Sequence, residues 1–106
     1  MKSQALLIFV TTPNRATSEK LAKILVNRKL AACVTTLPGA RSLYWWKGKI
    51  QKAKEELLII KSQKSKWPQL SKAIRENHPY EVCEILALPV DLGNPAYLKW
   101  IDDSLR

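Results

Sequence analysis

The chemically capable side chains of this chain concentrate in His78-Pro79-Tyr80-Glu81-Val82-Cys83-Glu84. There the only histidine meets two carboxylates, a phenol and a thiol. A neutral imidazole suits copper or zinc, so His78 is the first candidate metal ligand and Glu81 the second. Cys83 could add a soft donor. Strand alternation works against a tight site: in an extended segment Glu81 and Cys83 share one face and Glu84 takes the other. A transition-metal site needs three or four convergent donors. The expectation is therefore a weakly held Cu(II) or other divalent cation at a surface or intersubunit position, not required for folding. The competing reading is local, with His78 closing the end of a helix and hydrogen-bonding beside it.

Lys61 is the second candidate. It ends the apolar run Leu57-Leu58-Ile59-Ile60, and an ammonium there must find a carboxylate or a ligand. An ion pair to Glu81 or Glu84 and a ligand contact both answer that need. Covalent or cofactor chemistry has little support. There is no nucleophile elbow, no phosphate-cradling glycine loop and no Cys-His pair in sequence context, and three glycines are too few for a dinucleotide fingerprint. The chain reads as a non-enzymatic binding or regulatory protein.

The elements that must position these residues follow from periodicity. Ala5 to Thr11 is a continuous apolar run, as in a strand buried on both faces. Pro13-Asn14 ends it, and Asn14 can N-cap an amphipathic helix from Arg15 to Lys29. Cys33 to Trp46 is a second strand, interrupted at Pro38-Gly39, where a proline demands a bulge, bend or edge. Lys47-Gly48 makes a two-residue turn, and Lys49 to Ser62 returns antiparallel. Ser65 is expected to cap a second helix, with Pro68 in its first turn and Trp67, Leu70, Ala73 and Ile74 facing the core. His78-Pro79 stops it. Val82 to Val90 reads as a fourth strand, and Gly93-Asn94-Pro95 opens a last helix to about Ser104, with Leu98, Ile101 and Leu105 as its stripe.

The order is βαββαβ with an additional C-terminal helix. An α+β, ferredoxin-like sandwich with a long hairpin between its second and third strands is the simplest fold that has it. Residues 1–106 form a single domain. No apolar run approaches the ~20 residues that a membrane helix needs. Met1-Lys2-Ser3-Gln4 leads into a short apolar run without a cleavage pattern, so the expected compartment is cytoplasmic, with Cys33 and Cys83 as free, buried thiols.

The hairpin implies a partner. Each arm spans on the order of 45 Å at ~3.3 Å per residue, against a diameter of roughly 34 Å for a compact chain of this length. The tip must protrude or the arms must bend at Pro38-Gly39. Tyr44, Trp45 and Trp46 sit there, and several such rings left in water would form an adhesive patch. Neither Leu6-Leu7-Ile8-Phe9-Val10 nor Leu57-Leu58-Ile59-Ile60 alternates, so both sheet faces are expected to be covered. Identical subunits are the economical cover. The three aromatics are thus expected at an oligomer interface, the partner being the chain itself. A net charge of +9, and Lys47 and Lys49 beside the rings, raise single-stranded nucleic acid as another reading. The βαββαβ order is also that of the RRM, but its RNP1 pattern is absent from the third strand, and the interface reading explains the aromatics better.

Six stretches together resemble CutA, the divalent-cation tolerance protein family: Leu30 to Val34, Leu37 to Ala40, Ser42 to Ile50, His78 to Val82, Glu84 to Val90 and Gly93 to Leu98. The resemblance runs from about Ala5 to Leu105. It implies a ferredoxin-like subunit in a tight homotrimer, architecturally related to the PII signalling proteins, and a link to tolerance of copper and other divalent metals. It also suggests a cleft between subunits for a small anionic or polar ligand, to which Lys61, Tyr80, Glu81 and Glu84 would contribute. Some bacterial members place a metal-binding cysteine where this chain has Val10, and some a second histidine where it has Asn77. The family often has proline at the position of Cys83. Metal binding through a first-strand cysteine therefore does not carry over.

Overall fold

The structure is a computed structural model and describes residues 3–106. Four strands and three α-helices alternate as β1 (Ala5–Thr12), α1 (Arg15–Asn27), β2 (Cys33–Trp46), β3 (Lys49–Gln63), α2 (Trp67–Asn77), β4 (Ile85–Pro89) and α3 (Pro95–Ser104). The sheet order is β2-β3-β1-β4, with each neighbouring pair antiparallel. That is the ferredoxin-like α+β sandwich, extended by α3.

Local chemistry sets the element ends. The Asn14 side chain accepts from the Thr17 N–H at 2.8 Å and starts α1. Asn94 does the same for α3 through the Ala96 N–H at 3.2 Å. At the hairpin tip Lys47 and Gly48 both take positive φ, 50° and 77°, as a two-residue turn of this hand requires. The register between β2 and β3 slips between Leu37 and Ala40, with Gly39 at φ 83°. Pro38-Gly39 is thus the bulge that its composition demands.

Two expectations fail at element ends. Ser65 does not cap α2; it lies in a 3-10 turn spanning Lys64–Lys66 that feeds the helix directly, and the capping position, Lys66, makes no side-chain cap bond. The fourth strand begins at Ile85, not Val82. β4 pairs with β1 only from Leu6 to Val10, and the segment before it leaves the sheet, with His78 and Tyr80 bonded to Thr11 and Glu55.

Helices cover one face. Leu6, Ile8, Val10, Leu58 and Ile60 from the sheet interlock with Leu21, Leu25, Leu70, Ala73 and Ile74 from α1 and α2. Buried hydroxyls on this side are paired: Thr12 Oγ1 lies 2.6 Å from Ser18 Oγ, and Ser62 donates to the Leu30 carbonyl at 2.6 Å. A smaller cluster of Ala5, Ile101 and Leu105 docks α3, with Leu98 packed against it.

The other face is open. Its residues follow from period-two alternation and the register: Leu7, Phe9 and Thr11 on β1, Leu57, Ile59 and Lys61 on β3, Cys33, Thr35 and Leu37 on β2, and Leu86 and Leu88 on β4. Most are apolar, and Leu86 and Leu88 are 60% and 50% exposed. The absence of alternation in the strand sequences thus has its reason. Within one chain α3 covers only the end of this face at Ala5 and Gln63, and Leu37, Leu86 and Leu88 stay exposed.

Candidate functional site

Where β1 outruns β4, residues 78–84 fold over the open side of the sheet toward the hairpin. His78 anchors them. Its Nε2 lies 2.8 Å from the Thr11 carbonyl, and its Nδ1 accepts from the Tyr80 N–H at 3.1 Å. The acceptor role of Nδ1 places the ring proton on Nε2, which donates to Thr11. The ring is nearly buried, 9% exposed, and tilts against Tyr80 with centroids 4.7 Å apart. His78 therefore ties the segment to the end of β1.

Tyr80 continues the chain of contacts. Its hydroxyl donates to Glu55 Oε2 at 2.8 Å. Burial, then this bond and the charge of Glu55, push the Tyr80 hydroxyl well above its ordinary value of 10. Glu55 is only 7% exposed and belongs to no ion pair among the described residues.

Around this pair lies a cavity of about 830 Å³ lined by Thr11, Glu55, residues 42–46 and residues 79–84. Tyr80, Glu81, Cys83 and Glu84 line this cavity, which lies within one chain. Lys61 does not. It lies farther along β3, opposite Leu7 and Cys33, and its ammonium donates to Thr35 Oγ1 at 2.8 Å and approaches Cys33 Sγ at 3.9 Å. The expected ion pair of Lys61 with Glu81 or Glu84 is replaced by this hydroxyl, because Thr35 and Lys61 share the open face in neighbouring strands. Glu55 was missed by sequence reading. Its signal was weak: one acidic residue of a Glu-Glu pair in the middle of a strand, with nothing to say which would be buried.

Two further expectations change. Cys33 and Cys83 are free but half-buried, and Cys83 precedes β4 instead of sitting within it, so strand alternation does not govern Glu81, Cys83 and Glu84. Tyr44, Trp45 and Trp46 do not form one surface. Tyr44 and Trp46 pair with Gln51 and Lys49 on the same side as Glu55, whereas Trp45 pairs with Ile50 on the opposite side and is 72% exposed.

Metal chemistry can be tested against this geometry. Both nitrogens of His78 are committed, and no three His, Cys, Asp or Glu side chains converge among the described residues. A single chain does not present a preformed transition-metal site.

The relatives agree with the fold. A family model described as CutA1 divalent ion tolerance protein matches residues 6–104. This chain belongs to the CutA1 divalent ion tolerance family. It is 45% identical over 102 residues to the divalent-cation tolerance protein CutA of Pectobacterium atrosepticum, covering 96% of this chain and 93% of that one. The CutA homolog of Xenopus laevis is 50% identical over 95 residues, 90% of this chain and 63% of that protein. Against a rice protein named as chloroplastic CutA 1 the chain spans 58% of the relative's length, and against mouse CutA 52%. The crystal structure of CutA1 from Oryza sativa superposes with a TM-score of 0.94 at 43% identity, covering 99% and 96% of the two chains. That of CutA from Xylella fastidiosa gives 0.95 at 39%, covering 98% of this chain and 100% of that one. No helix among the described residues is long and apolar enough to cross a membrane. The names of relatives point to more than one compartment, chloroplastic in rice and periplasmic in Archaeoglobus fulgidus.

Proposed function

We propose that this protein is a non-enzymatic, self-assembling binding module that acts in the response to divalent cations, copper among them. The observation that carries the assembly is the open sheet face. Leu7, Phe9, Leu37, Leu57, Ile59, Leu86 and Leu88 lie on one side of a sheet whose other side is fully used by α1 and α2. Apolar area of that extent calls for a partner, and a second copy of the same face is the simplest one. Three copies is the number implied by the resemblance to PII-like trimers. Sedimentation at micromolar concentration tests it: a folded monomer removes the reading.

The lack of an enzymatic role is supported by how the candidate groups are used. The one histidine bonds two main-chain groups and is not poised against a nucleophile. What remains is binding, in one of two forms. A divalent cation such as Cu(II) could be held by His78 with Glu81, in which case the imidazole exchanges one of its hydrogen bonds for the ion and the affinity is modest. The alternative is a PII-like module in which Tyr80 and Glu84 border a cleft that takes a small metabolite, and the cavity beside them favours this form. Copper titrated calorimetrically into wild type and His78→Ala separates the two. Identical isotherms remove His78 from the account. A cytoplasmic setting, with no membrane partner and nucleic acid disfavoured, completes the reading; free thiols at Cys33 and Cys83 suit it.

A further inference from the structure

Charge is segregated in this molecule. Eighteen lysines and arginines stand against nine acidic residues in the whole chain. Residues 15–29 and 64–77, which carry α1, α2 and the turns beside them, hold nine of the eighteen and only two of the nine. Both of those acids, Glu19 and Glu76, are already paired along their own helices with Arg15 and Lys72. Lys20, Lys23, Arg28, Lys64 and Lys66 belong to no ion pair among the described residues. All but the half-buried Lys66 are exposed.

Helix chemistry accounts for part of this layer only. Arg28 at the C-cap of α1 and Arg75 in the last turn of α2 complement the negative ends of the helix dipoles. Lys64 and Lys66 lead into α2, where the dipole favours anions, and α2 has no acidic residue in its first turn. Those two cations oppose local stability, and an anionic partner would answer them. A second copy of the same layer would not, because like charges would meet across an isologous contact. The layer also lies on the side of the sheet away from the open apolar face.

The fold gathers these groups at one end of the sheet. The Ser62 hydroxyl donates to the Leu30 carbonyl and the Ala32 N–H to the Lys61 carbonyl, so the end of α1 lies beside the start of α2. Between the helices runs a groove of about 320 Å³ lined by Arg28, Leu30, Gln69, Lys72, Ala73 and Glu76. Leu30 and Ala73, 6% and 4% exposed, are its apolar floor, and Arg28 and Lys72 are its cations. Lys72 stands 3.7 Å from Glu76, a loose surface pair that yields readily to a better placed carboxylate.

That lining chooses among anions. Single-stranded nucleic acid needs exposed rings to stack on, and the one aromatic residue of the layer, Trp67, packs against the core. Duplex phosphates or lipid head groups would meet the cations but leave the apolar floor and the Gln69 amide unused. A peptide uses all three: carboxylates for Arg28 and Lys72, a main-chain amide for Gln69, and an apolar side chain for Leu30 and Ala73.

We propose that the groove between α1 and α2 docks an acidic peptide segment of another protein, its carboxylates on Arg28 and Lys72 and an apolar side chain over Leu30 and Ala73. Lys64 and Lys66 extend the positive field that draws the segment in. This surface goes beyond the proposed function and does not depend on which small ligand the protein takes.

Fluorescence anisotropy tests it, with a labelled peptide of two glutamates, a leucine and two glutamates, against a match in which glutamines replace the glutamates. The acidic peptide should bind saturably and more tightly at low salt, and the glutamine match should not bind. Serine in place of the peptide's leucine should weaken it about threefold to tenfold. Arg28→Glu with Lys72→Glu should weaken it by about tenfold or more. Lys52→Glu with Lys54→Glu, the same change of net charge on the exposed hairpin, should stay within about twofold of wild type. Arg28→Gln with Lys72→Gln serves should charge reversal not fold, with an expected loss of about threefold to tenfold. The proposal is overturned by no saturable binding, by binding of the glutamine match, or by equal losses at the groove and the hairpin. An affinity indifferent to the peptide's leucine overturns it too, since the apolar floor then plays no part. Altered sedimentation of Arg28→Glu with Lys72→Glu overturns it by making the groove a contact between copies. Tighter binding of a thymidine oligonucleotide or of phosphatidylserine vesicles, lost in the same groove variant, overturns it in favour of that partner.

Discussion

The Tyr80 hydroxyl donates to Glu55 Oε2 across 2.8 Å and joins the segment after α2 to the root of the hairpin. Glu55 has no other hydrogen-bond partner among the described residues, while Tyr80 is also held by His78, through its N–H and its ring.

The first consequence of the Tyr80–Glu55 bond is in alkaline titration. Tyr80 ionises above its ordinary value of 10, first because burial disfavours the phenolate and then because Glu55 accepts a hydrogen bond from its hydroxyl and repels the phenolate. A group whose folded value is raised contributes stability that is complete below the unfolded value. That contribution is lost as pH rises through the folded one. Unfolding free energy should therefore fall above pH 10, and Tyr80→Phe should flatten the decline. At neutral pH the same variant should cost about 1–2 kcal/mol, read from urea midpoints. A phenolate difference spectrum, wild type minus variant, showing ordinary ionisation for Tyr80 would contradict the bond.

His78 should prove structural before it proves functional. Replacing it with alanine opens a small void and strands the Thr11 carbonyl and the Tyr80 N–H, which together should cost about 2–4 kcal/mol. Because the ring also sets the position of Tyr80, the loss should not be additive with Tyr80→Phe. A double-mutant cycle is expected to show a coupling of about 0.5–2 kcal/mol. Strict additivity would mean that the two bonds form independently. The comparison must be made at fixed protein concentration, since assembly adds its own stability.

The sequence carried the fold farther than the site. Turn and cap chemistry at Asn14, Pro38-Gly39, Lys47-Gly48 and Asn94 is local, so residue types alone located those features. Strand β4 was overextended because Val82 and Cys83 have strand-like side chains, although β4 starts only at Ile85, opposite Val10, and β1 runs on to Thr12 beside His78. Lys61 was assigned to the wrong neighbourhood for a related reason. Its apolar run showed that it needed a partner, but which partner depends on the β2–β3 register, set by a bulge far along the chain. Glu55 was invisible because Glu55 and Glu56 are chemically alike and the pleat alone decides which one faces the cavity.

The open face yields a direct test of assembly. Leu86 and Leu88 sit on β4 beside Phe9 and Leu7, exposed in one chain and distant from the core beneath. A charge at either position costs little in an isolated subunit but much in a packed interface, where an unpaired ion must be desolvated. Leu88→Asp should therefore shift sedimentation toward folded monomer while far-ultraviolet dichroism stays unchanged. An intact oligomer with this variant would place the contact elsewhere.

The hairpin tip separates two explanations of its aromatics. If they serve one clasp, Trp45→Ala and Trp46→Ala should weaken assembly alike. The register instead places Trp46, with Tyr44, on the side continuous with Leu57 and Ile59, and Trp45 with Leu43 and Ile50 on the side that continues the helix-covered face. Extension of the open face into an interface then buries Trp46 and leaves Trp45 in water. Truncating a large ring at a packed contact typically costs 2 kcal/mol or more, roughly a thirtyfold change in dissociation constant. Trp46→Ala should show a shift of about that size, and Trp45→Ala should stay within about threefold of wild type. The measurement is sedimentation equilibrium across a concentration series. A larger effect at Trp45 would move the contact to the helix side of the hairpin, and the cavity beside Glu55 would then stay open to solvent in the assembly.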